Sequence, residues 1–300
     1  MAPLPRVGDE LQQAAEHGRV CALAAHGQRD LQRCLTAHPD LFAEGPFDGA
    51  LTSSIALAIA FSAPWCEAVE LRLTNRAVLW GFALDWQVDR LATSAVELDR
   101  LVQRQLSVTD GASAATDDPL GRFLAGLHAD LVAVPAFATL GGAWRAAARR
   151  TLHAMRQEWQ WKTAMRDGLQ PPPTLADYLN NADNLACTVV NVVHWIRTGG
   201  ADTQARLDRL VIASDAVQRA LRLVNDLSTH ERDLRWGDLN AIMLVDDRAV
   251  VEQVLKRLVT DVTDLLDELR ADCPREAAYL TRQLGYTTGF YRSTDFWGVS

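Results

Sequence analysis

Helix-favouring stretches follow one another along almost the whole chain, and they constrain its fold more than any other feature. They are rich in Ala, Leu, Arg, Glu and Gln, and short segments such as GPFDG, RDGLQPPPT and RTGGADT separate them. The β-branched cluster TVVNVV at 188–193 lies in a stretch too long for a strand and continues at helical spacing. The sequence therefore predicts an all-α protein that requires no sheet. The predicted helices lie near 9–35, 51–63, 66–90, 95–106, 119–132, 140–166, 174–197, 204–231, 247–271 and 275–292.

The length of the chain limits the number of domains, and its net charge limits the kinds of partner. The chain has 300 residues, of which 48% are hydrophobic, and neither a long linker nor an internal repeat divides it. We expect a single domain over residues 1–300. The formal net charge of -8 disfavours binding to nucleic acid, because the phosphate backbone is itself negative. An anionic small-molecule substrate would need bridging cations.

Cysteine usage and the N-terminal segment bear on the compartment. The cysteines, at positions 21, 34, 66, 187 and 273, lie far apart without CxxC spacing, so the sequence predicts neither a disulfide framework nor a zinc site. The segment MAPLPRVGDE lacks a charged stretch followed by an apolar run, and no stretch reaches the roughly 18 apolar residues of a membrane span. We therefore expect a cytoplasmic protein with no membrane span.

Two aspartates end an apolar stripe in the segment LRLTNRAVLWGFALDWQVDR. Steps of four and three residues place the stripe on one helical face. Its members are Leu71, Asn75, Val78, Phe82, Asp85 and Asp89. An isolated pair of aspartates at this spacing is usually exposed to solvent. Here the stripe favours an inward orientation, in which unpaired carboxylates are costly unless a cation holds them.

A second polar cluster lies in LRLVNDLSTHERDLRWGDLN. The residues that share one helical side are Asn225, Thr229, Asp233, Arg222 and Arg232. The conspicuous Glu231 points away from them, at about 100° per residue. Alone, such a set is more often an exposed polar face than a ligand set. Together the two clusters offer oxygen donors of mixed type on two helices, which suits Mg²⁺.

These two segments resemble the metal motifs of bacterial class I terpene synthases. DWQVD resembles the aspartate-rich DDxxD segment, with Trp86 where a second Asp is common. NDLSTHERD resembles the (N/D)DxxSxxxE triad, with Thr229 in the hydroxyl position and Asp233 in place of Glu. The segment EWQWKTAMRDGLQPPPTLADYL is similar to the stretch ahead of the family's kinked central helix. The resemblance implies a single-domain α-helical bundle around a central cavity, and an enzyme that ionises a prenyl diphosphate.

One segment departs from the usual family pattern and narrows the expected substrate. In YLNNADN, Ala182 and Asp183 stand where many members have an Arg that senses the diphosphate. The segment looks more like the YLxNG or YxENA segments of ent-kaurene-type, labdane-related diterpene synthases. This resemblance implies a copalyl diphosphate-type bicycle as substrate, supplied by a class II diterpene cyclase, and cyclisation or rearrangement of the carbocation after ionisation. Geranylgeranyl diphosphate or farnesyl diphosphate is the alternative substrate.

The family resemblance also implies a role for each candidate residue. The implied ligands of three Mg²⁺ ions are Asp85, Asp89, Asn225, Thr229 and Asp233. The implied diphosphate contacts are Arg222, Arg232, Arg292 and Tyr291, although the family's C-terminal Arg-Tyr pair is absent. The expected substrate-pocket residues are Phe82, Trp86, Trp159, Tyr178, Ala182, Asp183 and Trp195.

Other functions remain open from the sequence alone. A chain-elongating prenyltransferase would share the fold and the metals but needs two aspartate-rich motifs, whereas the second motif here is of the Asn, Thr, Asp type. A non-catalytic helical scaffold would fit the eroded aspartate motif and the missing Arg. No GxSxG, GxxxxGK[ST], GxGxxG or HExxH motif supports a nucleophilic, nucleotide-binding or zinc enzyme. Homodimerisation is common in the family that the sequence resembles, so a homodimer is a further expectation.

Overall fold

The computed structural model describes residues 7–43 and 45–298, and every regular element in these ranges is helical. This confirms the predicted all-α fold. The α-helices are α1 (Val7–Ala37), α2 (Pro39–Phe42), α3 (Gly49–Ser62), α4 (Ala68–Trp86), α5 (Ala95–Thr109), α6 (Pro119–Val132), α7 (Phe137–Arg166), α8 (Leu175–Asn180), α9 (Cys187–Thr198), α10 (Ala201–Ala205), α11 (Leu207–Trp236), α12 (Arg248–Leu269) and α13 (Pro274–Tyr291). A π-helical turn, Gln87–Leu91, follows α4, and 3₁₀ turns span Ala182–Leu185 and Ala241–Leu244. Residues 1–6 of the N-terminal segment considered above lie outside the described ranges.

Short polar side chains fix where several helices begin. Asp48 accepts hydrogen bonds from the backbone N–H groups of Ala50 and Leu51 at the start of α3. At the start of α8, the Asp177 N–H donates to Thr174 Oγ1 at 3.1 Å and the Thr174 N–H donates to Asp177 Oδ2 at 3.3 Å. These contacts satisfy N–H groups that have no partner within the helix. The polar residues between the helix-favouring stretches therefore determine the helix starts.

The prediction of one continuous helix over 174–197 is wrong. The chain instead forms α8, the 3₁₀ turn Ala182–Leu185 and α9. Ala186, at the last junction, has a φ of 59°, a left-handed conformation that a right-handed helix cannot contain. The helix predicted over 204–231 is too short, because α11 continues to Trp236. Asp233 therefore lies within a regular helix.

The bundle brings the C-terminal ends of α4 and α11 together. α4 packs against α1, α3, α6 and α9, while α11 packs against α9, α12 and α13. Fully buried side chains of Trp80 in α4 and Trp195 in α9 fill the space between helices. Just beyond α4, Arg90 Nη1 donates to the backbone carbonyl of Trp236 at 3.2 Å, at the end of α11. Polar residues near the two helix ends can therefore act on one ligand.

Buried hydrophobic side chains form a large cluster through most of the bundle and a smaller one beside it. The smaller cluster joins Tyr178, Leu223 and Leu239 with residues of α12. Within the described residues, none of the helices has both the length and the apolar character needed to cross a bilayer. The burial pattern is that of helices packed on one another.

Candidate active site

A cavity opens where the C-terminal ends of α4 and α11 meet. Its volume is about 1420 Å³ when the space at the open mouth is counted. The polar residues of its lining include Asp85, Asp89, Arg90, Glu158, Asn184, Arg222, Asn225, Asp226, Arg232, Asp233 and Asp238. Its apolar lining includes Ile55, Ile59, Val78, Phe82, Val190, Leu221, Phe296 and Trp297. One hollow thus combines a charged group of side chains with a hydrocarbon-like surface.

Asp85 lies in the cavity wall one helical turn after Phe82, and among the described residues no hydrogen bond reaches its carboxylate. Burial raises the pKa of this carboxyl well above its ordinary value. The carboxylates of Asp89 and Asp238 raise this pKa further, against the opposing charge of Lys162. A further cation beside Asp85 would therefore stabilise its charged form.

Asp89 lies in the π-helical turn and already has a cationic partner. Lys162 Nζ in α7 donates to Asp89 Oδ1 at 2.5 Å and to Asp238 Oδ1 at 3.2 Å. Asp238 also forms an ion pair with Arg90. Although burial disfavours the ammonium charge, Asp89 and Asp238 raise the pKa of Lys162. The second predicted aspartate therefore belongs to a network of two carboxylates and two cations.

Asn225, Thr229 and Asp233 lie along one face of α11, and hydrogen bonds join them. Thr229 Oγ1 lies 2.7 Å from Asp233 Oδ2 and 2.9 Å from the backbone carbonyl of Asn225. Asn240 Nδ2 donates to Asp233 Oδ2 at 2.8 Å, and Asn225 Nδ2 donates to Tyr291 Oη at 2.7 Å. Asn225 Oδ1 has only a long contact, of 3.5 Å, with Thr229 Oγ1 among the described residues. This face of α11 is fixed before any ligand arrives.

Two arginines flank the polar part of the cavity from opposite helices. Arg232 Nη2 lies 2.9 Å from Asp233 Oδ1, and Arg232 Nη1 lies 3.1 Å from Asp295 Oδ2. The guanidinium of Arg232 lies 5.2 Å from the centre of the Trp236 ring, and that of Arg90 lies 4.2 Å from it. Both cations are therefore held close to the end of α11, where an anion would meet them together.

Arg222 lines the cavity, but contacts within the protein occupy its donors. Its Nη2 lies 2.9 Å from Glu158 Oε2, and its Nε donates to Tyr178 Oη at 2.6 Å. The Tyr178 hydroxyl donates in turn to Asp226 Oδ2 at 2.8 Å. Burial raises the pKa of Asp226 to about 6, against the opposing charge of Arg222. These side chains tie α7, α8 and α11 together.

Of the predicted substrate-pocket residues, Phe82 lines the cavity. The others lie outside its lining: Trp86, Trp159, Tyr178, Ala182, Asp183 and Trp195. Trp195 is fully buried between helices, and Asp183 forms an ion pair with Arg150 at 3.2 Å. Helical periodicity indicates that a side chain faces inward, but it does not distinguish the packed core from a cavity wall. The large aromatic residues of this chain mostly meet the core.

The C-terminal end of the chain contributes to the cavity beyond α13. Tyr291, predicted as a diphosphate contact, lines the cavity, whereas Arg292 is exposed and lies outside the lining. Phe296 and Trp297 line the cavity although neither was predicted to do so. Both follow the last helical stretch, so no periodic pattern marks which way they face.

Three charged residues that lie near the aspartates were not predicted from the sequence: Arg90, Lys162 and Asp238. Arg90 directly follows the aspartate-rich segment, which was the available signal for it. Asp238 follows Gly237, whose φ of 73° ends α11 with a left-handed turn. The segment RWGDLN marks this helix end in the sequence. Nothing in the sequence indicates that the turn meets Lys162 of α7.

The oxygen donors around the cavity suit a divalent cation shared with a ligand. Among the residues that the structure describes, no three His, Cys, Asp or Glu side chains form a ready metal cluster. Asp85 from one side and Asn225 and Asp233 from the other instead present their oxygens to the cavity, whereas Thr229 lies outside its lining. Mg²⁺ usually binds through few protein carboxylates and completes its shell with water and substrate phosphates. The residues present fit that mode of binding.

A family model described as terpene synthase family 2, C-terminal metal binding, matches residues 76–277. The matched region is more than half of the chain and contains both segments that the sequence predicts to bind metal. It ends within α13, before the aromatic residues at 296 and 297.

One curated relative and several solved structures are similar to the chain. Ent-pimara-9(11),15-diene synthase from Streptomyces sp. (strain KO-3988) is 29% identical over 273 residues, which cover 90% of each protein. The structure of 2-methylisoborneol synthase from Streptomyces coelicolor A3(2), in complex with Mg²⁺ and geranyl-S-thiolodiphosphate, has a TM-score of 0.72 at 16% identity and 93% coverage of both chains. Abietadiene synthase from Abies grandis has a TM-score of 0.64 at 17% identity, with 94% of this chain and 38% of that chain covered. These structures share the fold described above.

Proposed function

Because this chain belongs to terpene synthase family 2, and is therefore a terpene synthase, we propose that it is a class I diterpene synthase acting on a copalyl diphosphate-type bicycle. In this reaction the allylic carbon–oxygen bond breaks, diphosphate departs with the bonding electrons, and the carbocation cyclises or rearranges. One observation carries the proposal. Asp85 lines the cavity from one helix, and Asn225 and Asp233 line it from another, beside an apolar surface.

We propose Asp85, Asn225, Thr229 and Asp233 as the donors to a trio of Mg²⁺ ions. Bound metal would neutralise the diphosphate and make it a better leaving group. Asp85 supports this assignment because its carboxylate forms no ion pair with any residue that the structure describes. Asp89 joins the set only if it exchanges Lys162, which lies 2.5 Å away, for a metal ion. The protein contributes these donors from two helices, which limits the rearrangement that a bound ligand requires.

The diphosphate itself would meet Arg232 and Arg90 at the end of α11. Arg232 directly precedes the last triad position and lines the cavity. Arg90 lines it from the other helix, and both guanidinium groups lie within 5.2 Å of the Trp236 ring centre. Such fixed positive charges act most strongly on the charge that develops as the bond breaks. Arg222, with its donors bound to Glu158 and Tyr178, positions α11 instead.

The hydrocarbon would lie against the apolar part of the lining. Aliphatic side chains such as Ile59, Val78 and Leu221 offer no nucleophile, and Phe82 adds an aromatic face. A dry wall of this kind keeps water from the cation, and aromatic faces stabilise its charge. The relative named ent-pimara-9(11),15-diene synthase supports a twenty-carbon substrate, since a pimaradiene is a diterpene. A class II diterpene cyclase would supply the bicyclic diphosphate.

Incubation of the protein with Mg²⁺ and single prenyl diphosphates tests the proposal. The panel contains farnesyl diphosphate, geranylgeranyl diphosphate and the stereoisomers of copalyl diphosphate, with diphosphate release and product mass as readouts. We expect release and a tricyclic diene from one copalyl stereoisomer. Turnover of only the linear substrates would support the alternative of direct cyclisation. A folded protein that releases diphosphate from none of them would contradict the proposal and favour a non-catalytic scaffold.

A further inference from the structure

The segment that follows α13 folds back over the cavity. We call residues 293–298 the C-terminal strap. The backbone N–H groups of Ser293 and Thr294 donate to the Phe290 carbonyl at 3.0 and 3.1 Å, which turns the chain at the end of α13. The strap then places Phe296 and Trp297 in the lining of the cavity. A segment beyond the last helix therefore forms part of the proposed active site.

Asp295 anchors the strap to α11. Its Oδ2 lies 3.1 Å from Arg232 Nη1, and only 8% of its side chain and 10% of that of Arg232 are exposed. The other oxygen, Asp295 Oδ1, is buried and has no hydrogen-bond partner among residues 7–43 and 45–298. A buried carboxylate is costly unless a cation pairs with it, and removing that cation leaves the charge unmatched. The position of the strap therefore depends on the ion pair with Arg232.

The two aromatic residues of the strap extend the surface that begins at Phe82. The ring centres of Phe296 and Trp297 lie 5.5 and 5.0 Å from that of Phe82, which precedes Asp85 by one helical turn. Trp297 also packs edge-on against Phe47 at 6.0 Å. Three rings thus form one surface beside the proposed site of ionisation. Aromatic faces stabilise a nearby cation and offer it no nucleophile.

We propose that the C-terminal strap is a product-determining wall of the cavity, in which Phe296 and Trp297 contact the hydrocarbon and Asp295 positions them through Arg232. The proposal rests on the proposed function, because the rings have this role only if a carbocation forms. Without them, water reaches the cation. Its oxygen then bonds to the cationic carbon and loses one proton, which gives an alcohol in place of an alkene.

Product analysis of strap variants tests whether Phe296 and Trp297 contact the hydrocarbon. The full chain carries Trp297→Ala, Trp297→Phe or Phe296→Ala, and the substrate is the prenyl diphosphate that the wild type turns over. We expect Trp297→Ala to lower kcat about tenfold, from the loss of a cation–π contact, and to convert part of the hydrocarbon product into alcohol or other skeletons. Trp297→Phe keeps an aromatic face and should retain the main product. If Trp297→Ala does not fold, Trp297→Leu keeps an apolar side chain without the ring and takes its place.

The positioning role of Asp295 is tested by the product ratio, which a loss of stability alone would not change. Asp295→Asn keeps the size of the side chain and removes the charge that holds Arg232. We expect its product ratio to shift in the same direction as that of Trp297→Ala, while KM does not rise because Arg232 is freed for the diphosphate. Asp295→Glu should restore the wild-type ratio. A lower melting temperature with an unchanged product ratio would overturn the positioning role.

A matched aromatic residue far from the cavity provides the control. Phe137 packs against His128 and Trp144 at ring distances of 5.6 and 6.0 Å, outside the cavity lining. Phe137→Leu should lower stability and leave the product ratio unchanged. If the wild type turns over and Trp297→Ala gives the same product ratio, the proposed role of the strap is overturned and the proposed function is not. Absence of turnover in the wild type overturns the proposed function first.

Discussion

The two sides of the cavity hold their oxygen donors in different ways. On α11, hydrogen bonds of 2.7 and 2.8 Å fix Asp233 between Thr229 and Asn240. On α4, Asp85 has no such partner among the described residues, and Asp89 depends on the charge of Lys162. The α11 side is therefore preorganised by hydrogen bonds and by the ion pair of Asp233 with Arg232. The α4 side stores unfavourable charge that a divalent cation would relieve, and this difference gives each side its own response to mutation.

The largest expected effect comes from removing one donor on either side. Asp85→Asn and Asn225→Ala should each lower kcat about 10³-fold, because each removes an interaction that stabilises the leaving diphosphate. Steady-state diphosphate release measures the loss. Glu231→Gln is the control, since Glu231 lies exposed on the same helix as Asn225 and should leave kcat unchanged. Turnover near the wild-type rate in Asp85→Asn would remove the α4 side from the mechanism.

A second effect should appear in stability on the α4 side. Lys162→Met leaves the buried carboxylates of Asp89 and Asp238 without their cation, and we expect it to cost about 3 kcal/mol of unfolding free energy. Denaturant unfolding measures this change. Lys256→Met, at an exposed position of α12, is the matched control. Adding Asp89→Asn to Lys162→Met should restore part of the loss, and a double variant no more stable than the single one would argue against this pairing.

The smallest expected effect is a gain in stability, and it should distinguish the α4 side of the cavity from the α11 side. In the metal-free protein, Asp85→Asn should raise stability by about 1 kcal/mol, because the wild type keeps a costly carboxylate. Since the folded-state pKa of Asp85 is raised, the wild type loses stability as the pH rises above the ordinary carboxyl range. The gap in melting temperature between the two proteins should therefore widen from about pH 4 upwards. A constant gap, or a less stable variant, would contradict the raised pKa.

The sequence predicts those parts of the site that depend on one helix at a time. The stripe ending at Asp85 and the spacing of Asn225 and Asp233 are periodic, and these residues lie in helices, although α4 ends at Trp86 and α11 extends to Trp236. The metal-binding role of these residues stays a prediction. Lys162 and Asp238 could not be assigned, because their meeting with Asp89 depends on how three separate segments pack.

The aromatic wall shows the same limit more clearly. Trp195 was predicted to line the pocket and is fully buried in the core. Trp297 was not predicted and lines the cavity, because it follows the last helix and carries no periodic signal. Similarly, the donors of Arg222 are taken by Glu158 from α7, a contact that the spacing along α11 cannot reveal. Local pattern determines the face of a residue, and tertiary packing determines what that face meets.

Binding of inorganic diphosphate in the presence of Mg²⁺ tests most directly whether both sides of the cavity hold the same ions. Isothermal titration calorimetry compares the wild type with Asp85→Asn and Asn225→Ala. We expect the wild type to bind diphosphate only when Mg²⁺ is present, and each variant to bind it more weakly by about tenfold or more. Wild-type affinity in either variant would show that its side of the cavity takes no part in holding the metal ions.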